Sequence, residues 1–449
     1  MARKVLLSFL GTGIPETTNG YRPMRKYRQA NYKIDGTTHY DIPFMSAALK
    51  EHYEADQILM IGTVHSMWEE VYRWFHDRNS KTKVEDSDET YDIYDEIGTY
   101  CEKADHKADL YIPYHEKIEA EIGGKVILIK YGITEEEIRE NITRILSLQQ
   151  YLNNGDELIV DITHSFRSLP IFIMNLLIYL KNVSSKNITI SHIHYGMIEV
   201  RSELGGYAPV VDLKAMMDVQ EWITGAYAFS EFGNAYKISK LLEKHSEDTN
   251  ATSAAPILRD FSDAMNLNYL YSMQGVTQKL MGIREKSYVS DFANQIISPV
   301  VKDFVTTFDV SQSLLYPQSI FQLKLADWQF KHKKYGQAYL TSHDALITYV
   351  CEKNEWMWTN FEHHGNAKKL LMGNSVESAI FIPTAEMRNW YELHNKCRNG
   401  IAHTTKVLLN KEQTYFIKKI TGKKRDKLSV KDMIEILREY IKYLKTIIV

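Results

Sequence analysis

Apolar and polar positions change rhythm about halfway along the chain. Up to about residue 205, short continuous apolar runs alternate with stretches of helical period. Val5 to Leu10, Gln57 to Ile61, Lys125 to Lys130, Glu157 to Ile162 and Asn187 to Tyr195 read as strands. A glycine turn follows the first, a helical segment from Ser66 follows the second, and a long apolar helix from about Pro170 follows the fourth. Strands alternating with helices at this spacing predict a parallel, doubly wound α/β sheet of Rossmann-like type. Beyond 210 strand-like runs become scarce. Ala215–Ala228, Tyr236–Lys244, Pro256–Met281, Tyr288–Phe304, Ile320–Phe330, Tyr335–Glu352, Ile382–Cys397 and Val430–Thr446 all carry helical periodicity. The expected junction lies at 205–210, around Gly205-Gly206 and Pro209, with an all-helical unit behind it.

Two segments break this pattern. Glu85 to Glu96 holds seven acidic and no basic residues and reads as a solvated insertion. Arg22 to Lys33 holds five basic and no acidic residues, with Tyr27 and Tyr32 between them; it reads as a basic loop, either plain or covering an anion.

Composition narrows the classes. Hydrophobic residues at 44% and a net charge of -3 in 449 residues describe a globular chain of two or three domains, not a disordered or uniformly basic one. Cys101, Cys351 and Cys397 are far apart and form no CxxC pair, which argues against a zinc knuckle and for a reducing compartment. The basic start and short apolar run at Arg3 to Leu10 lack a small-residue cleavage site, and the longest apolar stretch, Leu169 to Leu180, is too short to span a bilayer. The expectation is a soluble cytoplasmic protein without membrane attachment.

Ligands of such sheets sit beyond the carboxyl ends of the strands. Gly11-Thr12-Gly13 follows the first strand and reads as a simple turn or as a backbone anion cradle. Thr63 and Ser66 follow the second, either as helix caps or as ligand contacts, and Trp68 reads as core. The fourth strand runs into Asp161-Ile162-Thr163-His164-Ser165-Phe166-Arg167, the richest polar run of this half. Asp161 needs hydrogen-bond partners if buried, and Arg167 suits a phosphate. His192 and His194 read as sheet residues.

In the helical half, Arg398-Asn399-Gly400-Ile401-Ala402-His403 pairs an arginine with a histidine five residues on, and Asn399-Gly400 suggests a local bend. Histidine exchanges protons near neutral pH and arginine offsets charge growing on a phosphate. Such a pair is also common as plain structure. Residues 394–449 hold fourteen Lys or Arg against five Asp or Glu, a local excess of +9 that suits RNA or a solvated face.

Phe9-Leu10-Gly11-Thr12-Gly13, Asp161-Ile162-Thr163-His164-Ser165-Phe166-Arg167 and the R-x4-H motif Arg398 to His403 occur in that order across an α/β half and then a helical half. In this the chain resembles the CRISPR-associated ribonucleases of type III systems that join a CARF sensor domain to a HEPN nuclease domain. The resemblance implies a CARF-like domain over 1–205, a helical connecting region over 206–310 and a HEPN-like domain over 311–449. It implies a homodimer, or a multiple of dimers, that binds cyclic oligoadenylate and then cuts single-stranded RNA without a metal, in antiviral defence. Gly11, Thr12, Gly13, Thr63, Ser66, Thr163, His164, Ser165 and Arg167 would surround the activator, with cyclic tetra-adenylate favoured, and Arg398, Asn399 and His403 would be the nuclease residues. Two alternatives stay open: a regulatory RNA-binding module without nuclease activity, and a ring nuclease that degrades the activator.

Overall fold

The computed structural model describes residues 2–15, 25–26, 29–164, 168–283, 285–310, 316–403 and 405–449. Its contacts divide the chain into two compact units, Met1–Asp218 and Val219–Val449.

Among the described residues the first unit holds ten strands in chain order: β1 (Lys4–Leu10), β2 (Ile14–Pro15), β3 (Arg25–Lys26), β4 (Ala30–Ile34), β5 (Thr37–Ile42), β6 (Gln57–Gly62), β7 (Gly124–Leu128), β8 (Glu157–Asp161), β9 (Thr189–Gly196) and β10 (Tyr207–Asp212). Eight form one sheet in the order β5-β4-β10-β9-β8-β1-β6-β7, and β2 and β3 pair separately. The five strands expected from the sequence are its parallel core: β9, β8, β1, β6 and β7. Their uninterrupted apolar runs follow from burial on both faces. Along β1, Leu6 and Leu10 enter one core with Ile58 and Met60, while Val5, Leu7 and Phe9 enter the other with Leu59 and Ile61.

The sheet is mixed, which corrects the all-parallel expectation. β10 is antiparallel to β9, β4 is parallel to β10 and β5 is antiparallel to β4. β4 and β5 form a hairpin around Asp35-Gly36, both at positive φ (47° and 85°), the geometry that favours Asp-Gly in two-residue turns. Ala30, Tyr32 and Ile34 alternate inward. The end of the basic segment is therefore a strand and not a loop; Arg22, Tyr27 and Arg28 lie outside the described residues. β10 carries the sheet past 205–210, and the first compact unit runs on to Asp218.

The acidic segment is a second correction. It forms part of the helix Asp88–Lys103, which buries Ile93, Tyr94, Ile97 and Cys101 and turns its carboxylates outward. A one-sided apolar stripe within an acidic run is enough to fold a helix against a core.

The second unit has helices at every position expected, with one division. The Pro256–Met281 pattern breaks at Asn268, a left-handed cap (φ 52°), into Thr249–Leu267 and Leu270–Ile283. Phe361–Leu371 and Lys411–Thr421 are additional helices. One apolar cluster gathers residues between Trp222 and Trp328, and another those between Leu323 and Ile448. Among the described residues no helix is long and apolar enough to cross a membrane.

Candidate functional site

The carboxyl ends of β1, β6 and β8 emerge on one edge of the sheet, because these strands are parallel. Their loops are tied to one another. The Ser66 hydroxyl donates to the Leu10 carbonyl (2.9 Å) and accepts from the Thr63 N–H (3.0 Å). The Met67 N–H donates to the Gly11 carbonyl (3.2 Å), and the buried Trp68 indole donates to the Thr63 carbonyl (2.9 Å). Gly13 has φ +66°, and a Cβ there would lie 2.0 Å from the Met67 Sδ. Only glycine satisfies both the backbone and the space.

Thr63 and Ser66 are each 2% exposed, with hydroxyls 3.3 Å apart. They brace the β1 and β6 loops, and the following helix, Trp68–Asn79, has no side-chain cap. Gly11, Thr12 and Gly13 stand half-exposed beyond them.

At the end of β8, fully buried Asp161 accepts from the Ser8 hydroxyl (2.6 Å) and from the Thr163 N–H (2.9 Å). This satisfies the buried carboxylate and fixes the loop. The Thr163 hydroxyl in turn accepts from the Gly196 N–H (2.8 Å), joining the ends of β8 and β9. His164 Nε2 lies 3.4 Å from the Tyr32 hydroxyl of β4. Burial pushes the His164 pKa down, against the opposing pull of Asp161 and Glu199. The imidazole is thus neutral near pH 7 and offers one donor and one acceptor. Ser165 and Arg167 lie outside the described residues. His192 and His194 are sheet residues on β9, bonded to Asp212 (2.8 Å) and Tyr53 (2.8 Å).

In the second unit the helix Ala385–Ala402 begins at Thr384, whose hydroxyl accepts from the Met387 N–H (3.2 Å). It ends at His403, whose N–H donates to the Asn399 carbonyl (2.9 Å). Arg398 and Asn399 are half-buried, and Arg398 Nη1 donates to Asn399 Oδ1 (2.9 Å); His403 is exposed. Asn399 and Gly400 do not bend the chain as expected. They are helical, and Gly400 is there because a Cβ would lie 2.3 Å from Val407 Cγ2. The chain folds back after His403 and needs that close approach.

Sequence reasoning missed what backs the arginine. His343 is 4% exposed, and its ring stacks on Tyr391 (5.1 Å) and on fully buried His394 (5.7 Å). Burial, reinforced by Arg398, pushes the His343 pKa down to about 3 and that of His394 well below its usual value. Burial raises the Asp344 pKa, against Lys368 and Arg398. Tyr391, His394 and Arg398 recur at three- and four-residue spacing on one helix face, a signal the sequence did contain.

With these sites in place, comparison with known proteins locates the chain. Residues 5–199 match the CARF domain of the CRISPR system endoribonuclease Csx1, and residues 218–313 match the second domain of CRISPR-associated protein MJ1674. CRISPR-associated protein MJ1674 of Methanocaldococcus jannaschii is 34% identical over 363 residues. These matches make the chain similar to CRISPR-associated CARF proteins over most of its length. The aligned region is 78% of this chain and 54% of that relative, so the chain spans about half the relative's length. Enterococcus italicus Csm6 bound to cyclic hexa-2'-fluoro-hexa-dAMP aligns at a TM-score of 0.35 and 10% identity, over 99% of this chain and 95% of that one. The CARF match contains all three strand-end loops described above. Among the described residues, no three His, Cys, Asp or Glu side chains gather as a metal-ligand set.

Proposed function

We propose that this chain is a cytoplasmic CARF–HEPN endoribonuclease switched on by cyclic oligoadenylate, with a sensor over 1–205, a connecting region over 206–310 and a nuclease over 311–449. The observation that carries the reading is the end of helix Ala385–Ala402: an exposed His403 five residues after an Arg398 that is bonded to Asn399, with neutral, buried histidines at His343 and His394. One copy supplies one histidine and one arginine, whereas in-line cleavage uses a base and an acid. A homodimer supplies both.

The RNA 2'-hydroxyl is the nucleophile. One His403 takes its proton as the 2'-oxygen bonds to phosphorus. The bond from phosphorus to the 5'-oxygen breaks, and the second His403 protonates the leaving oxygen. Arg398 stabilises the extra charge on the phosphorane, and Asn399 holds the guanidinium. The products are a 2',3'-cyclic phosphate and a 5'-hydroxyl, and no step calls on a metal ion.

In the sensor, Gly11, Thr12 and Gly13 present backbone groups to phosphate, Thr163 and neutral His164 meet adenine or ribose, and Ser165 and Arg167 are further activator contacts. Thr63 and Ser66 act by bracing these loops. A two-fold ring, cyclic tetra-adenylate, suits a two-fold dimer.

The test is cleavage of single-stranded RNA against a panel of cyclic oligoadenylates, with chelator present and product ends mapped. Cleavage triggered by one ring size, with cyclic phosphate ends, is expected. RNA left intact under every ring, or 3'-hydroxyl products that need a divalent ion, overturns the reading.

A further inference from the structure

Between helices Ala385–Ala402 and Lys411–Thr421 lies a groove of about 600 Å³. Gln413 clamps its base: it donates to Glu392 (3.0 Å), accepts from the Lys396 ammonium (3.1 Å), and closes a capping box with Asn410. Phe416 is set edge-on against Trp390 (5.2 Å), so the apolar part of the groove rests on the core. Tyr415, another lining residue, is 74% exposed, far more than a packed tyrosine. Asn389, Glu392, Lys396, Asn399 and His403 recur at three- and four-residue spacing, so the groove opens on the face of the helix that leads to His403, about 20 Å along the axis.

Lysines surround the aromatic. Lys411, Lys418, Lys419, Lys423 and Lys424 are exposed, and none has an ion-pair partner among the described residues. Two of them, Lys411 and Lys419, line the groove together with the carboxylates Glu386, Glu392 and Glu412. The carboxylates repel a phosphate from the interior but accept hydrogen bonds from a base edge, and Asn389 adds an amide. An exposed ring, base-edge acceptors inside and free ammonium groups outside are the parts that bind single-stranded nucleic acid.

We propose that this groove is a nucleotide subsite for single-stranded RNA, in which Tyr415 stacks one base and Lys411 and Lys419 hold flanking phosphates. The inference rests on the ribonuclease reading and deepens it, because it places the strand on the face of the helix that ends at His403.

The probe is a short, unstructured, fluorescent single-stranded RNA, and its binding to the 449-residue chain carrying His403→Ala is read by anisotropy. Added Tyr415→Ala is expected to weaken binding about tenfold, since base stacking on an aromatic side chain contributes on that scale. Tyr415→Phe keeps the ring and is expected to stay within about twofold. Lys411→Gln with Lys419→Gln should flatten the salt dependence of binding by about 1.4 in log–log slope, as two phosphate contacts on a single strand require. Tyr271→Ala, at a comparably exposed tyrosine on another helix, is the control and should change nothing. Thermal melts confirm that each variant is folded. Affinity unmoved by Tyr415→Ala and by the lysine pair overturns the subsite. If the native chain cuts RNA while Tyr415→Ala binds normally, the subsite falls and the ribonuclease stands. If RNA is never cut but binding depends on Tyr415, the subsite stands and the ribonuclease reading falls.

Discussion

The two candidate sites handle polar groups in opposite ways. At the sheet edge, the hydroxyls of Ser8, Thr63, Ser66 and Thr163 and the Asp161 carboxylate are bonded to one another or to nearby backbone. At the helix end, His403 is exposed, while buried polar atoms such as His343 Nδ1, His394 Nδ1 and Arg398 Nε have no hydrogen-bond partner among the described residues. The first arrangement suits recognition, which needs loops held in one geometry. The second suits chemistry, which needs a proton-exchanging group in reach of solvent and substrate, and an arginine with no carboxylate bonded to it among the described residues; the Asp344 carboxyl nearby is pushed toward its neutral form by burial. A carboxylate bonded to Arg398 would spend the charge that the phosphorane needs; the amide of Asn399 orients it without neutralising it.

The largest effect expected from this contrast is on cleavage. His403→Ala and Arg398→Ala should each lower the activated rate by about 10²–10⁴, the range for losing a general acid–base or a charge stabiliser. Activator affinity, measured by calorimetry on the same proteins, should stay within about twofold of the native value because both residues belong to the second unit. A loss of affinity to match the loss of rate would erase the division of labour.

The buried histidines give the next effect. His343 holds its pKa near 3, far below the value of about 6.5 in an unfolded chain. Above about pH 6.5 the residue is neutral in both states and adds no pH dependence. As the pH falls below that value the unfolded chain takes up a proton that the fold refuses, so stability declines, by up to about 1.4 kcal/mol per pH unit for each such histidine, until the pH nears the folded pKa. His394, also pushed down by burial, adds a decline of the same sign. Amide exchange in helix Tyr335–Lys353 should therefore accelerate steeply from about pH 6 to pH 4, after correction for intrinsic exchange. His343→Phe should reduce that slope by one histidine's share. An unchanged slope would mean that the imidazole is protonated inside the fold.

How legible each site was follows from the same contrast. The strand-end loops were readable because apolar strands announce where a parallel sheet ends, and Asp161 at the close of an apolar run demanded partners. Their internal bonding was not readable. Nothing local in Thr63 or Ser66 says that a hydroxyl will face Leu10, 56 residues earlier, and not a ligand. The β4–β5 hairpin was obscured by its charge, although Asp35-Gly36 carried the turn signal. Arg398 and His403 stood out by spacing, but the wall behind them comes from a helix about 50 residues earlier in the sequence, and only packing brings His343 to Tyr391. Gly400 was misread for the same reason: its close contact with Val407 lies outside any local pattern.

A pair of glycine substitutions sharpens the comparison at the next level down. Gly13→Ala meets two obstacles, a left-handed backbone that costs about 1–2 kcal/mol for an L-residue and a Cβ position on the Met67 sulfur. Gly400→Ala meets chiefly the Val407 methyl, with the Thr405 carbonyl oxygen at 3.3 Å, and in a helix alanine gains back about 1 kcal/mol over glycine. Val407→Ala should therefore restore most of the stability lost in Gly400→Ala. Met67→Ala should restore only the steric part of Gly13→Ala. Denaturant melts of the two double variants measure this, and equal rescue would remove backbone conformation from the account of Gly13.

The smallest difference lies within the first unit, between Thr163 and Thr63. Thr163→Val keeps the shape of the side chain but removes the oxygen that accepts from Gly196 N–H at 2.8 Å. That N–H belongs to a buried residue at the end of β9, beyond the last paired position of the β8–β9 register. Leaving such a donor without its partner costs about 1–3 kcal/mol, and the open sheet edge nearby allows water to replace part of the bond, so about 1 kcal/mol is expected. Thr63→Val loses much less. Among the described residues the Thr63 hydroxyl meets only Ser66 Oγ, at 3.3 Å, and Ser66 retains both the Leu10 carbonyl and the Thr63 N–H, so about 0.5 kcal/mol is expected. Thr163→Ser restores the acceptor and should recover most of the loss, whereas a purely steric role would make serine worse than valine. Urea melts of the three variants, with exchange of the Gly196 amide followed in parallel, separate the two accounts. Faster exchange at Gly196 in Thr163→Val, reversed in Thr163→Ser, assigns the effect to the hydrogen bond that joins β8 to β9.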